Sequence, residues 1–330
     1  MTATNAADTF GWGIAATGSI AETVGRVIAA EPGMRIAAVG SRNKDRAAEF
    51  AAKVGATTAY GSYADMIADP AVEAVYVATP HAQHREIVEA ALAAGKPVLC
   101  EKPLGVTVAE AEALVAQARA ADVFLMEAMW MRFNPLIQRV QATVESGALG
   151  DVRSVSASFG FPMPYDPEHR LWNPALGGGA LLDLGIYPVA LAYLLLGAPD
   201  TMAAVGALGP SGVDAETSLL LGWEGGARAM LETSLVSMLP MTATVVGTKG
   251  RIDIAPAFHA ATQISVHTYG GDFGAAPEEF RMDSPAEAYA AQAREVRDCV
   301  RAGRVESRIM PLDATLGVLR ILEDARSALG

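Results

Sequence analysis

The sequence predicts an α/β protein in two parts, an N-terminal Rossmann doubly wound parallel sheet and a C-terminal α+β domain with a large open, mostly antiparallel sheet. Three observations carry this prediction. The 330 residues exceed one average domain of roughly 100–200 residues. Up to about residue 130, short β-branched runs alternate with alanine-rich amphipathic stretches, the pattern of parallel strands wrapped by helices. After Asn134-Pro135 the pattern turns to longer alternating strands.

In the first part, residues 1–130, strands are expected at 11–15, 35–39, 57–59, 74–78, 98–100 and 123–126. Helices are expected between them at 20–30, 44–54, 63–68, 84–94 and 108–121. Strands this apolar belong in a sheet covered on both faces. In the second part, residues 131–330, one helix is expected to run to Ser146, and strands to follow at 152–159, 202–208, 217–223, 227–235, 242–246, 251–254 and 264–268. A helix over 179–196 interrupts them, and two more, 286–302 and 312–329, close the chain. No internal repeat or low-complexity segment is found.

Apolar residues make up 51% of the chain and charged residues 19%, so burial can offset the ordering entropy. The net charge of −12 repels phosphate polymers and anionic membranes, and Lys and Arg form no basic stripe, so no nucleic-acid partner is expected. The run Ala180 to Gly197 carries Asp183, Pro188 and two Tyr, and reads as a buried core helix, not a membrane span. Met1 to Thr9 is polar and unlike a signal peptide. Cys100 and Cys299 stand far apart with no metal-ligand spacing, which suits buried free thiols in a reducing cytoplasm and predicts no metal site.

The chemistry is carried by short motifs. Trp12 to Ala21 runs a strand into a glycine turn and a helix, and against G-x-G-x-x-[GA] it places Ala16, Gly18 and Ala21 at the three key positions. Ala16 departs from that pattern. Gly18 lets backbone approach a pyrophosphate, and Thr17, Ser19 and Ile20 lie where a helix start offers free N–H groups. Ser41 stands 23 residues beyond Gly18, at the end of the second strand. There Ser41 and Arg42 replace the acid that binds ribose hydroxyls in NAD sites, and a guanidinium suits a 2′-phosphate. NADP is therefore expected, with NAD less favoured.

Thr79-Pro80 ends the fourth strand, placed to floor the nicotinamide ribose, with His81 next. His84 opens the following helix, where capping and a direct catalytic role are both open. After the fifth strand comes Glu101-Lys102-Pro103, where the proline holds Lys102 extended so that a cation can point into the crevice.

In this order the glycine turn, Thr79-Pro80 with His84, and Glu101-Lys102-Pro103 resemble the Gfo/Idh/MocA oxidoreductases. Glu127 to Pro135, Gly177 to Pro188 and Gly247 to Gly250 are similar to the dimeric dihydrodiol dehydrogenase and NADP-dependent D-xylose dehydrogenase branch, so the resemblance spans nearly the whole chain. It implies that Lys102 and Tyr187 are the working pair. Tyrosine stands at 187 where many members carry histidine, as in the dihydrodiol branch. The resemblance also implies that Asp183 is an additional polar contact and that Trp130 and Arg132 line the site.

The residues themselves agree with this. Asp183 and Tyr187 stand four apart on one expected helix, on a single face of an apolar segment, where a buried carboxylate and phenol need partners such as a cation from the other domain. Tyr187 is expected to take the substrate hydroxyl proton, and Lys102 to favour the phenolate and hold the substrate oxygen. Phe161 to Tyr165 and His169 to Asn173 are expected to select the substrate, a carbohydrate or diol. In that stretch Arg170 would bind hydroxyls and Trp172 would offer a flat face to a ring.

Two other functions stay open: a relative that holds its nucleotide tightly for a net non-redox reaction, such as a glycosidase, and a catalytically silent nucleotide-binding regulator. An uncovered apolar face on the second sheet predicts a homodimer.

Overall fold

The computed structural model describes residues 9–269 and 276–330. The polar start of the chain, read above as unlike a signal peptide, lies outside the described residues except for Thr9. The chain divides into two compact units, one of Met1–Trp130 with Ala286–Thr315, the other of Met131–Pro285 with Leu316–Gly330.

The first unit alternates β1 (Phe10–Ala15), α1 (Ser19–Ala30), β2 (Met34–Gly40), α2 (Lys44–Val54), β3 (Thr58–Tyr60), α3 (Tyr63–Ala68), β4 (Ala74–Val77), α4 (His84–Ala93), β5 (Val98–Cys100), α5 (Val108–Ala121) and β6 (Leu125–Glu127). The sheet order is β3-β2-β1-β4-β5-β6 and every pairing is parallel. All six residues of β1 and all four of β4 are buried, which is why neither strand shows polar alternation. The winding reverses between β1 and β4, and in such sheets the ligand crevice opens at the carboxyl ends of these strands. The chemistry-bearing loops after β1, β2, β4 and β5 all leave from those carboxyl ends.

The second unit holds α6 (Pro135–Glu145), β7 (Val152–Gly160), α7 (Ile186–Leu196), β8 (Thr201–Leu208), β9 (Asp214–Gly222), β10 (Arg228–Ser234), β11 (Ala243–Gly247), β12 (Gly250–Ile254), β13 (Gln263–Thr268) and β14 (Glu278–Arg281). The eight strands lie in the order β14-β13-β12-β11-β7-β10-β9-β8, antiparallel throughout except for β7 with β10. Val155, Ala157 and Phe159 of β7, Ala229 and Leu231 of β10, and Leu219 and Leu221 of β9 point inward, and α7 packs on β7 and β10. Each large apolar side chain buried here contributes about 1.5–3 kcal/mol. A one-residue slip would expose the whole row, so the pattern itself fixes the register. The opposite face leaves Val205, Leu220 and Met230 exposed, along a shallow groove of about 550 Å³ that also involves Ser156, Ser218 and Thr244.

Two elements differ from the sequence expectation. β14 was not foreseen, because Glu-Glu-Phe-Arg offers one apolar residue and no alternation; it forms by pairing with β13, and Phe280 lies under the Arg139 guanidinium at 3.4 Å. The expected helix over 179–196 is not uniform: Leu181–Gly185 forms a π-helical turn that runs into α7. Over Pro174–Leu196, 78% of the apolar window is buried, as a core helix requires.

The closing helices are α8 (Ala286–Arg301) and α9 (Leu312–Ala328). The sequence-order division at residue 131 puts α8 in the second part, whereas it packs on α1 in the first unit, where Arg294 reaches Glu31 at 3.0 Å. Such a long-range return leaves no mark on local periodicity.

Candidate active site

The nucleotide-binding half is built on the β1–α1 turn. Ala16 adopts φ 150°, a backbone region that favours glycine, so the departure from the glycine fingerprint is a strained alanine in a glycine's place. A Cβ built on Gly18 would meet nothing within 4 Å, which leaves the backbone open to an approaching ligand. No side chain caps α1, whereas Asn43, Ser62, Thr107 and Asn134 cap α2, α3, α5 and α6. The N–H groups of Ser19 and Ile20 thus open an uncapped helix, a ready anion site, while Ala21 is fully buried against the sheet. After β2, Ser41 is buried, its hydroxyl accepting from the Asn43 amide at 3.3 Å, and exposed Arg42 hydrogen-bonds the Tyr63 phenol.

The second group stands at the ends of β4 and β5. Thr79, His81 and His84 are buried, with half-exposed Pro80 between them, and the Thr79 hydroxyl has no hydrogen-bond partner among the described residues. The His84 ring nitrogens lie 2.9 Å from the carbonyl oxygens of Thr79 and Pro103. Burial pushes this imidazole below its ordinary pKa, the carbonyls oppose that, and the Lys102 charge adds to the lowering.

The Glu101 carboxylate faces the interior. It accepts from the Tyr76 hydroxyl at 2.5 Å and from the Lys102 amide at 3.3 Å. Burial first, then the Glu101 charge, hold the Tyr76 phenol well above its usual range, so it remains a donor. On the far side of the turn, the Glu127 carboxylate accepts from the Leu104 amide at 3.1 Å and the Thr315 hydroxyl at 3.0 Å. Lys102 is half-buried on this pinned turn. Trp130 is buried and stacked on Tyr289, ring centroids 4.4 Å apart, and Arg132, in the same short helical turn Trp130–Phe133, is half-buried.

The second cluster lies wholly within the other unit and begins at Gly177-Gly178-Gly179. A Cβ on Gly178 would sit 2.8–3.0 Å from the carbonyl oxygens of Leu171, Asn173 and Arg170, and Gly179 has φ +120° with Asp214 against it. These glycines let the Arg170 loop close onto the π-helical turn: Gly178 and Gly179 donate to Asn173 and Leu171 at 3.1 and 2.9 Å. Buried Asp214 caps the turn, accepting from the Leu181 amide at 2.5 Å, and burial pushes its carboxyl up to about 6. Asp183 is gripped by Arg170 at 2.9 and 3.2 Å. Tyr187, 6% exposed, lies against the stacked pair of Phe159 and His259, whose centroids are 4.1 Å apart and stand 5.7 and 5.1 Å from its own ring.

Arg170, of the same unit, supplies a cation to Asp183. Two expectations are corrected here. Trp172 offers no face to a ring: it is 2% exposed, packed edge-on against Tyr165 and donating its indole N–H to Pro164 at 3.0 Å. Asp183 and Tyr187 are not stacked on a regular α-helix, because the π-helical turn ends between them.

Tyr76, Glu127, Asp214 and His259 went unremarked as functional candidates. Tyr76 and Glu127 sit in apolar strands, where a single polar residue is a weak signal, and His259 lies in a short turn without any.

An uncapped helix start, open space at Gly18 and a buried, unpartnered Thr79 hydroxyl fit a dinucleotide. Among the described residues no three His, Cys, Asp or Glu side chains gather as metal ligands.

Comparison with known proteins agrees with this geometry. Residues 10–129 match the oxidoreductase family with an NAD-binding Rossmann fold, and residues 137–253 match the GFO/IDH/MocA C-terminal domain. Trans-1,2-dihydrobenzene-1,2-diol dehydrogenase of Mus musculus is 41% identical over 326 residues, covering 97% of this chain and 96% of that one. The Homo sapiens enzyme of that name is 37% identical over 325 residues, with 97% and 96% covered. Among solved structures, aldose-aldose oxidoreductase from Caulobacter crescentus, complexed with glycerol, is 30% identical with a TM-score of 0.86, covering 97% of both chains. A 3-ketoreductase from Actinomadura kijaniata, in complex with TDP-benzene and NADP, is 28% identical with a TM-score of 0.81, covering 97% of this chain and 98% of that one. The chain belongs to the Gfo/Idh/MocA family and is an NAD(P)-binding oxidoreductase of the dihydrodiol dehydrogenase and sugar oxidoreductase type.

Proposed function

We propose that the chain is an NADP-dependent dehydrogenase or reductase that moves a hydride to or from a carbinol or carbonyl carbon of a sugar, cyclic polyol or trans-dihydrodiol. In this reading Tyr187 is the general acid and base, and Lys102 assists it. The observation that carries it is the fixing of the Lys102 turn by Glu101, Glu127 and His84, which a solvated surface lysine does not need. The 3-ketoreductase has also been solved as a lysine-to-alanine variant (27% identical) and a tyrosine-to-phenylalanine variant (27% identical), the two residue types paired here.

When bound, the nicotinamide supplies the hydride acceptor or donor. An alcohol releases hydride only as its hydroxyl proton leaves. Free tyrosine has a pKa of about 10, and in this reading the Lys102 ammonium would favour phenolate, so that Tyr187 Oη serves as base near neutrality. In the reductive direction the same oxygen returns the proton. Asp183, fixed by Arg170, serves to orient the substrate hydroxyls.

Ser41 and Arg42 support NADP over NAD, because a cation replaces the acid that would hold a free ribose hydroxyl. The relatives, a dihydrodiol dehydrogenase and an aldose-aldose oxidoreductase, support a diol or sugar as substrate. The uncovered apolar groove on the second sheet supports a homodimer through that face, which sedimentation equilibrium would refute by finding monomer alone.

The direct test is a cofactor titration with NADP⁺ and NAD⁺ against trans-1,2-dihydrobenzene-1,2-diol and a panel of aldoses, read at the NADPH absorbance. Stoichiometric reduction supports a freely exchanging dehydrogenase. Product without absorbance change would point to tightly held nucleotide and a net non-redox reaction.

A further inference from the structure

His84 neither caps α4 nor faces solvent: it makes no side-chain cap and is fully buried. Both ring nitrogens meet carbonyl oxygens at 2.9 Å, Nε2 that of Thr79 after β4 and Nδ1 that of Pro103 after β5. Carbonyls only accept. The ring therefore donates to one of them in each neutral tautomer, and to both only when protonated. Either way one side chain spans two turns that leave adjacent parallel strands and carry the Thr79 hydroxyl and the Lys102 ammonium.

The other groups on the Lys102 turn act differently. Glu101 accepts from the Lys102 amide and Glu127 from the Leu104 amide, whereas His84 meets the Pro103 carbonyl, the other end of the planar peptide that carries the Leu104 N–H. A peptide held at its N–H alone can still swing about that one contact, and the Lys102-Pro103 turn with it. A contact on the Pro103 carbonyl restrains that swing and ties the turn to the end of β4.

We propose that His84 is a positioning residue for Lys102, joining the Thr79-Pro80 and Lys102-Pro103 turns so that the ammonium is held in its working place. This rests on the reading of Lys102 given above.

The test compares wild type with His84→Phe, His84→Gln and Lys102→Ala. Each is assayed with NADP⁺ and whichever of trans-1,2-dihydrobenzene-1,2-diol and D-xylose the wild type oxidises faster, and each is followed by thermal unfolding and NADPH fluorescence binding. His84→Phe keeps a ring without N–H groups and is expected to lower kcat at least tenfold while NADPH affinity changes less than threefold. His84→Gln, whose amide can still donate to one carbonyl, is expected to recover at least threefold of that loss.

A folded His84→Phe protein within threefold of wild-type kcat would overturn the assignment, as would a glutamine variant no better than phenylalanine. If His84→Phe fails to fold, His84→Gln decides by itself: a folded variant with a threefold or greater loss of kcat supports positioning, and one with a smaller loss overturns it. Collapse of both variants would make His84 a core residue only and would equally overturn it. Near-wild-type turnover in Lys102→Ala would instead remove the reading of Lys102. An impaired Lys102→Ala beside an unimpaired His84→Phe would remove this inference alone.

Discussion

The guanidinium of Arg170 meets the carboxylate of Asp183 with two nitrogen–oxygen contacts, at 2.9 and 3.2 Å, and the Asp183 side chain is 8% exposed where that of Arg170 is 48%. A nearly buried carboxylate is thus compensated by a cation that itself stays half in water. The pair explains why the loop after β7 must close on the π-helical turn, and why three glycines stand where they do.

Arg170→Ala would leave Asp183 buried without this partner. A stability loss on the order of 1–3 kcal/mol is expected, together with a fall in kcat/KM, read by denaturant unfolding and steady-state kinetics. Arg170→Lys, which cannot form the fork, should fall between the two. An alanine variant as stable as wild type would show that the pair contributes nothing.

Asp214 yields a pH signature. Burial raises its folded carboxyl to about 6 from the ordinary 3.8, so the native state holds the proton more tightly than the unfolded chain does. The stabilisation is complete below pH ~4 and is lost as the pH rises through 6, a span worth on the order of 2–3 kcal/mol. Asp214→Asn keeps an acceptor for the Leu181 amide and cannot ionise. Its stability relative to wild type is therefore expected to rise between pH 4 and pH 7, and parallel unfolding profiles would refute the assignment.

Ala16 at φ 150° predicts a stabilising substitution. Strain of this kind costs about 1–3 kcal/mol, and glycine returns about 0.4–1 kcal/mol of it as unfolded-chain entropy. Ala16→Gly should raise stability by about 1 kcal/mol without lowering nucleotide affinity. A lowered melting temperature would contradict this.

Arg42→Ala tests the coenzyme preference. A charge-assisted contact to a 2′-phosphate is worth about 1.5–3 kcal/mol, so the dissociation constant for NADPH should rise by roughly 10–100-fold while that for NADH stays nearly unchanged. Equal loss for both coenzymes would assign Arg42 to the fold, where it already bonds Tyr63.

Much of the architecture was legible in the sequence, because apolar period and turn residues act locally. β5, α2, α3 and α5 fall where periodicity places them, and Asn43 and Thr107 cap two of those helices. What stayed hidden depends on partners distant in the chain. Trp172 reads as an exposed aromatic in a polar loop until the Pro164 carbonyl claims its N–H. Asp183 invites a search for a cation, and nothing local says that Arg170 supplies it. The return of α8 to the first unit and the charged strand β14 depend likewise on contacts that have no period.

Proton transfer by a positioned group contributes typically about 10²–10⁴-fold to rate. The measurement that bears most directly on Tyr187 is therefore the kcat of Tyr187→Phe, taken with NADPH binding to the same variant. The expected result is a fall in kcat on the order of 10²–10⁴-fold with coenzyme affinity nearly unchanged. Retention of most of the turnover would contradict the assignment of the phenol as the proton-transferring group.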